Sequence, residues 1–390
     1  MPDAPRGSLG YEEILGEVRR LSPLIAKRSE EIEQLRRLPE DLVESLRAAG
    51  VFRAAMPAEW GGSDLTSMEQ IAIIEEASRA DTSLGWCVMI GMDSGIYAGF
   101  LRPDVARRMY PSLDMVTAGQ VRPGARAHVV EGGYRLEGTW RFGSGCTHAD
   151  VIAGGSLVFR DGEQVKDERG RPVWRVVLLP RDQVEIIDNW YTTGLAGSGS
   201  CDYRAEGVFV PEEHTFTFDQ PLDDRPINRH PDAILRKMPG VPLGAARAAL
   251  DYVHEIAEKR VDRASGTGWR DSPRARRTVA QCELNLAAAR TLVYSSVEDV
   301  WARLVANEPV RPQERAIAAL ARYNAFRTAR DIASDLYDLV GGDSIYSQRT
   351  PLDRRLRDLT TICQHVVGQD LILDWSGELL LGGMPDTPFI

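Results

Sequence analysis

Residues 132–150 read GGYRLEGTWRFGSGCTHAD. Apolar and polar residues alternate from Tyr134 to Phe142, and glycines on either side of Ser144 close the run, the pattern of a strand entering a tight turn. Similar glycine- and proline-punctuated runs surround it between Met115 and Asp219: DVIAGGSLVF (150–159), VWRVVLLP (173–180) and AEGVFVPEE (205–213). They predict an antiparallel β domain. On the N-terminal side, apolar residues recur at helical spacing (Ile14, Val18, Leu21, Leu24, Ile25, then Leu35, Leu38, Leu42, Leu46), and MPAEWGG (56–62) interrupts the period before it resumes from Met68. On the C-terminal side, the Pro- and Asp-rich joint QPLDDRPINRHPD (220–232) leads into Ala-, Leu- and Arg-rich helical stretches such as 245–261 and 284–306. The expected fold is mainly α with a central β domain: an N-terminal helical domain (1–113), a middle β domain (114–220) and a C-terminal helical bundle of four helices (232–390).

Composition removes several classes of function. Among 390 residues, 57 acidic against 47 basic side chains give a net charge of -10, and no Lys/Arg run offers a patch for a polyanion, so nucleic acid is not an expected partner. Five cysteines (Cys87, Cys146, Cys201, Cys282, Cys363) stand far apart without metal-ligand spacing, which predicts neither a disulfide framework nor a metal site. The opening MPDAPRGSLGYEEILGE lacks an apolar leader core, so a cytoplasmic protein is expected. The apolar run from Leu84 to Leu101 carries Asp93 and several glycines and reads as one buried helix, not a membrane span.

With those motifs assembled, the chain resembles the acyl-CoA dehydrogenase fold over nearly its whole length. The carriers are MPAEWGG, residues 132–150, DNWYTTGLAGSGSCDYRAEGVFVPEEH (188–214) and LVGGDSIYSQRTPLDRRLRD (339–358). Many acyl-CoA dehydrogenases continue from the final Arg-Asp into a segment bearing the glutamate that removes a thioester α-proton. Here no glutamate stands between Arg349 and Ser376, and His365 follows Asp358 by seven residues. That histidine, with the W-x-F-x-S-G-C-x-H-A run from Trp140 to Ala149, is similar to the oxygenase components of two-component flavin-dependent monooxygenases acting on 4-hydroxyphenylacetate, steroid-derived phenols and indoles. Some of those hydroxylases carry a further histidine on an upstream strand, where this chain has Ala118 and Gln120.

The resemblance implies an oxygenase that receives reduced FMN or FAD from a separate NAD(P)H:flavin reductase, adds O2 to give a C4a-hydroperoxide, and hydroxylates an aromatic or other electron-rich small molecule. It implies Ser144 near flavin N5, Phe142 facing the ring, and Gly145, Ser198 and Gly199 close to the cofactor. Gly341 and Gly342 would meet the cofactor across a subunit contact in a homotetramer, and Arg263 would supply charge to its phosphate. His365 is the expected acid or base, on one helix face with Asp358, and His148 a second catalytic group. Trp86, Gln120 and Cys146 are the expected pocket residues. His128, His214, His230 and His254 fall in loop or surface-like contexts. An acyl-CoA dehydrogenase with a displaced base, an amine N-oxygenase and a non-catalytic scaffold remain alternatives, since one fold hosts several chemistries.

Overall fold

In the computed structural model, which describes residues 9–262, 265–387 and 389–390, the chain is helical, then β, then helical. The first helices are α1 (Tyr11–Lys27), α2 (Ser29–Leu35), α3 (Glu40–Ala48), α4 (Ser67–Ala80), α5 (Thr82–Gly91), α6 (Asp93–Ala98) and α7 (Pro103–Met109). The amphipathic stripe of α1 buries Ile14, Val18, Leu21 and Ile25, whereas Leu24 and Leu35, expected on the same apolar faces, are exposed. Thr66 caps α4: its hydroxyl accepts from Glu69 N while the Glu69 carboxylate accepts from Thr66 N. The single helix expected over Leu84–Leu101 is divided into α5 and α6 at Met92. There Gly91 and Gly95 admit Phe52 and the Ala55 backbone too closely for a Cβ, and Asp93 is drawn into an ion pair with Lys237.

The strands are β1 (Thr117–Val130), β2 (Gly133–Gly143), β3 (Val151–Arg160), β4 (Glu163–Gln164), β5 (Trp174–Pro180), β6 (Glu185–Ile187), β7 (Cys201–Pro211) and β8 (Thr215–Phe216), in one sheet of order β6-β7-β2-β1-β3-β5-β8, with β4 on β3. The sheet is mixed, which corrects the antiparallel expectation: β1 and β3 pair in parallel. The cause is local. After the β1–β2 hairpin the chain stands beside the start of β1, and the short turn 144–150 crosses under that end, so β3 leaves in the direction of β1 on its other side. Trp140, fully buried, stacks on Tyr203 at 5.1 Å and donates from Nε1 to Gly155 O (2.6 Å), locking the middle of the sheet.

The last helices are α8 (Gly240–Ile256), α9 (Pro273–Val305), α10 (Pro312–Val340), α11 (Leu352–Ile362) and α12 (Leu371–Leu380). Helices α8 to α11 pack as a bundle, α12 leans on α10, and α8 also lies along α4, joining the two helical regions behind the sheet. Among the described residues no helix is long and apolar enough to cross a membrane.

Candidate active site

The turn leaving β2 is held by Ser144 N to Phe142 O (2.9 Å), Cys146 N to Gly143 O (2.9 Å) and Gly145 N to Ser198 O (2.9 Å). Phe142 occupies the left-handed region at φ 62°, a strained conformation for a residue with a Cβ, and the residue is 50% exposed. It meets Trp190 edge to face at 6.3 Å, so an aromatic surface lies open beside the Ser144 turn. Gly145 has φ 76°, and a Cβ there would press on the His148 ring at 3.3 Å.

Ser144 Oγ accepts from Trp86 Nε1 (2.9 Å) and lies 2.7 Å from Ser200 Oγ, which lies 2.7 Å from Ser198 Oγ; Ser198 Oγ donates to Leu195 O (2.6 Å). A carbonyl cannot donate, so the chain is ordered: Ser198 donates to Leu195, Ser200 to Ser198, and Ser144 to Ser200. Ser144 has spent its proton and keeps one lone pair. Trp86, buried on α5, turns its other side to His365, the rings 5.6 Å apart and near perpendicular.

Two residues of α11 set these elements side by side. Arg355 caps the C-terminus of α4, donating to Ser78 O, Arg79 O, Ala80 O and Thr82 Oγ1 (2.8 to 2.9 Å), which fixes the start of α5. Asp358 Oδ1 accepts from Leu195 N (2.7 Å), holding the loop that receives the serine chain. Burial, then the nearby Asp81 charge, pushes the Asp358 carboxyl up to about 7. An acid raised on folding is opposed as it ionises, so its unfavourable contribution grows as pH rises from the usual carboxylate range through about 7. Asp358→Asn, which keeps an acceptor, should therefore melt relatively higher than wild type as pH increases from 5 to 8. Asp358→Ala should lose about 1–3 kcal/mol by stranding the Leu195 N–H. Thermal melts of both variants across that range check this, and equal melting of the two would contradict it.

His365 does not share a helix with Asp358, as the seven-residue spacing predicts; α11 ends at Ile362, and His365 caps the short turn 366–368, its Nδ1 accepting from Val367 N at 3.4 Å. The helix ends there because the Cys363 thiol turns to Phe326 O on α10 and Gln369 reaches back to Cys363 O. Burial, then the Arg322 charge, lowers the His365 pKa to about 4. His148 is likewise lowered to about 4, by burial and then Arg47, and both its ring nitrogens are shielded without a hydrogen-bond partner. The Cys146 thiol is enclosed and faces Gly199 O at 3.5 Å. Gln120 sits where β1 bulges against β3, its backbone N donating to Tyr203 Oη (2.7 Å). Gly197 lies against α2, where a Cβ would come within 2.2 Å of Ile32, and Gly199 has φ 54°. Gly341 and Gly342 are partly to fully open at the end of α10, with nothing near a Cβ at either. Arg263 lies outside the described residues. His128 is partly exposed on β1, a surface-like context, and His230 is half-buried against Asp232. The tethers Arg355 and Asp358–Leu195 escaped sequence reasoning, although the Arg-Asp pair at 357–358 marked the place.

Comparisons with known proteins agree with this fold. "Acyl-CoA dehydrogenase, N-terminal domain" matches residues 12–103 and "Acyl-CoA dehydrogenase, C-terminal domain" residues 239–370. The chain is 32% identical to the indole-3-acetate monooxygenase of Pseudomonas putida over 91% of its own length and 90% of that protein. It is 30% identical to HsaA of Rhodococcus jostii (strain RHA1), the oxygenase subunit of a flavin-dependent monooxygenase, over 87% and 90% of the two chains. The crystal structure of 3-HSA hydroxylase from Rhodococcus sp. RHA1 superposes with a TM-score of 0.89 at 26% identity, covering 97% of this chain and all of that one. A half-exposed aromatic surface beside a serine with a free lone pair suits a flavin ring. The chain belongs to the flavin-dependent monooxygenases of the acyl-CoA dehydrogenase fold, as the oxygenase component of a two-component system that uses reduced FMN or FAD and O2.

Proposed function

We propose that the chain hydroxylates an aromatic or other electron-rich small molecule lying along Trp86 and His365, with reduced flavin arriving from a separate reductase. The observation that carries this is the proton order of the serine chain. Ser144 can only accept a further hydrogen bond. Flavin N5 bears a proton when the flavin is reduced and none when it is oxidised, so a one-way acceptor favours the reduced form. Bound there, the reduced flavin supplies the electrons that activate O2. Phe142 and Trp190 would cover its ring, and Trp86 holds Ser144 in place. Because Nδ1 of His365 accepts from Val367, the neutral imidazole carries its proton on Nε2 and offers a donor toward the reacting oxygen or the substrate. His148, unpartnered beside Gly145, is a second donor or acceptor on the same turn.

In this reading the assembly is a homotetramer. Exposed apolar residues on α9, α10 and α12 (Leu284, Ile317, Leu373, Leu380) and the open Gly341–Gly342 pair support it. The compartment is cytoplasmic, supported by five buried cysteines that form no disulfide.

Anaerobic titration with reduced and oxidised FMN and FAD tests the reading. The reduced form should bind at least about tenfold more tightly, a difference of about 1.4 kcal/mol. Ser200→Ala, which frees the Ser144 proton to point outward, should narrow that gap. Tight binding of oxidised FAD with no preference for the reduced form would favour the dehydrogenase alternative instead.

A further inference from the structure

Two of the five buried cysteines lie together. Cys201 opens β7, where it pairs with Gly143 at the end of β2, and Cys146 N returns to Gly143 O (2.9 Å), so the turn folds Cys146 back onto that pair. Cys146 Sγ is 3.5 Å from Gly199 O and 4.0 Å from Cys201 O, and the two thiols hydrogen-bond to each other. The Cys201 sulfur also faces the backbone N–H groups of Trp190 and Asn189, in the largely exposed loop 188–193. That loop is fastened to β7 by Asp202 N to Asn189 Oδ1 (3.0 Å), and to Arg36 by Nη1 to Trp190 O (3.3 Å) and to Asp188 Oδ1 (2.7 Å). A sulfur that gathers S–H and N–H donors is in the setting of a thiolate. The hydrogen bond from Cys146 holds the Cys201 thiol below its ordinary range against the opposing effect of burial, and the same bond, then burial, pushes Cys146 up. Cys87 and Cys363 stand in the opposite setting: their sulfurs face backbone carbonyls, Ser198 O at 3.5 Å and Phe326 O at 3.3 Å, which favour the protonated thiol, and burial raises both of them and Cys282.

We propose that Cys146 and Cys201 form a modification site for hydrogen peroxide, at which Cys201 reacts first and Cys146 resolves it into a disulfide. A Cys201 sulfur lone pair attacks one oxygen of the peroxide; the S–O bond forms, the O–O bond breaks, and the departing hydroxide takes up the proton that Cys201 gave up on ionising, leaving as water. The Cys146 sulfur then displaces the hydroxyl from Cys201; the S–S bond forms, the S–O bond breaks, and the Cys146 proton leaves with that oxygen as a second water. Two thiols are oxidised and one peroxide is reduced, with no other reactant. The bond would tie the turn after β2 to β7, two residues past Ser144 and one past Ser200, whose hydroxyls lie 2.7 Å apart. The oxygenase reading supplies a source of peroxide, released when O2 is consumed without product, but the thiol chemistry itself does not depend on that reading.

The test treats the whole chain with a small excess of hydrogen peroxide, alkylates the remaining thiols, and maps an unreduced digest by mass spectrometry. The expected result is a peptide pair joined through Cys146 and Cys201, lighter by two hydrogens and separated by dithiothreitol, with Cys87, Cys282 and Cys363 alkylated. Cys146→Ser should stop at a sulfenic acid on Cys201, trapped by dimedone, and Cys201→Ser should leave Cys146 unoxidised at the same dose. If either variant does not fold by circular dichroism, the wild-type map with dimedone present decides, the adduct being expected on Cys201. No joined pair at a dose that already oxidises another cysteine or a methionine, or dimedone on Cys146 ahead of Cys201, would overturn the proposal. Because the peroxide is added, the two readings fail separately: a joined pair in a protein that inserts no oxygen into any substrate would keep the thiol site and remove the oxygenase, and oxygen insertion without a joined pair would do the reverse.

Discussion

His365→Ala should lower the yield of hydroxylated product per O2 consumed by about 10² or more, the scale for losing a positioned proton donor, while reduced flavin still reacts with O2 and hydrogen peroxide appears in place of product. The ring touches Trp86 and stands close to the buried Arg322, so no solvent-exposed group substitutes for it. Its pH behaviour follows from burial. The folded pKa, about 4, is below the usual 6.5, so the neutral form persists, and stability linked to it is present above 6.5 and lost as pH falls toward 4. Coupling of O2 to product should therefore stay flat from pH 8 to about 5.5 and fail below. A midpoint near 6.5, or full hydroxylation by the alanine variant at every pH, would make His365 structural.

Ser144→Ala should have the second largest effect, and it acts on two quantities at once. Removing the hydroxyl strands the buried Trp86 Nε1–H, which should cost about 1–3 kcal/mol of stability, and in the proposed reading it would also delete the acceptor for N5–H, worth about 0.5–1.5 kcal/mol of reduced-flavin affinity. Peroxide release should rise more than binding falls, because Trp86 loses the contact that fixes it beside His365. Ser144→Thr, which restores the oxygen, should recover most of both. Peroxide release equal to wild type in the alanine variant would count against Ser144 at N5.

The helical, β, helical order was legible because periodicity changes at the boundaries and glycines mark the turns, as at Gly143 and Gly145. The parallel β1–β3 pair was not, since composition does not reveal on which side of a hairpin the next strand docks. At the site, the Ser144 turn could be read directly from W-x-F-x-S-G. The place of His365 came from its distance to Asp358, but its backbone did not: a seven-residue spacing suits a continuous helix, and the tertiary contacts of Cys363 and Gln369 end α11 first. Arg322 gave no signal, because in AIAALARYNAF an arginine at helical spacing looks like a residue on a solvated face. In the folded molecule it is only 3% exposed.

The most direct measurement is the fate of isotopically heavy O2. Protein, reduced FMN or FAD, and a panel of indole, indole-3-acetate and 4-hydroxyphenylacetate would be mixed in heavy O2 and the products analysed by mass spectrometry. The account predicts a hydroxylated product carrying one oxygen atom from O2 and none from water, formed only when the protein is present. No heavy oxygen in any product, together with bleaching of bound oxidised flavin by an acyl-CoA in the absence of O2, would contradict it.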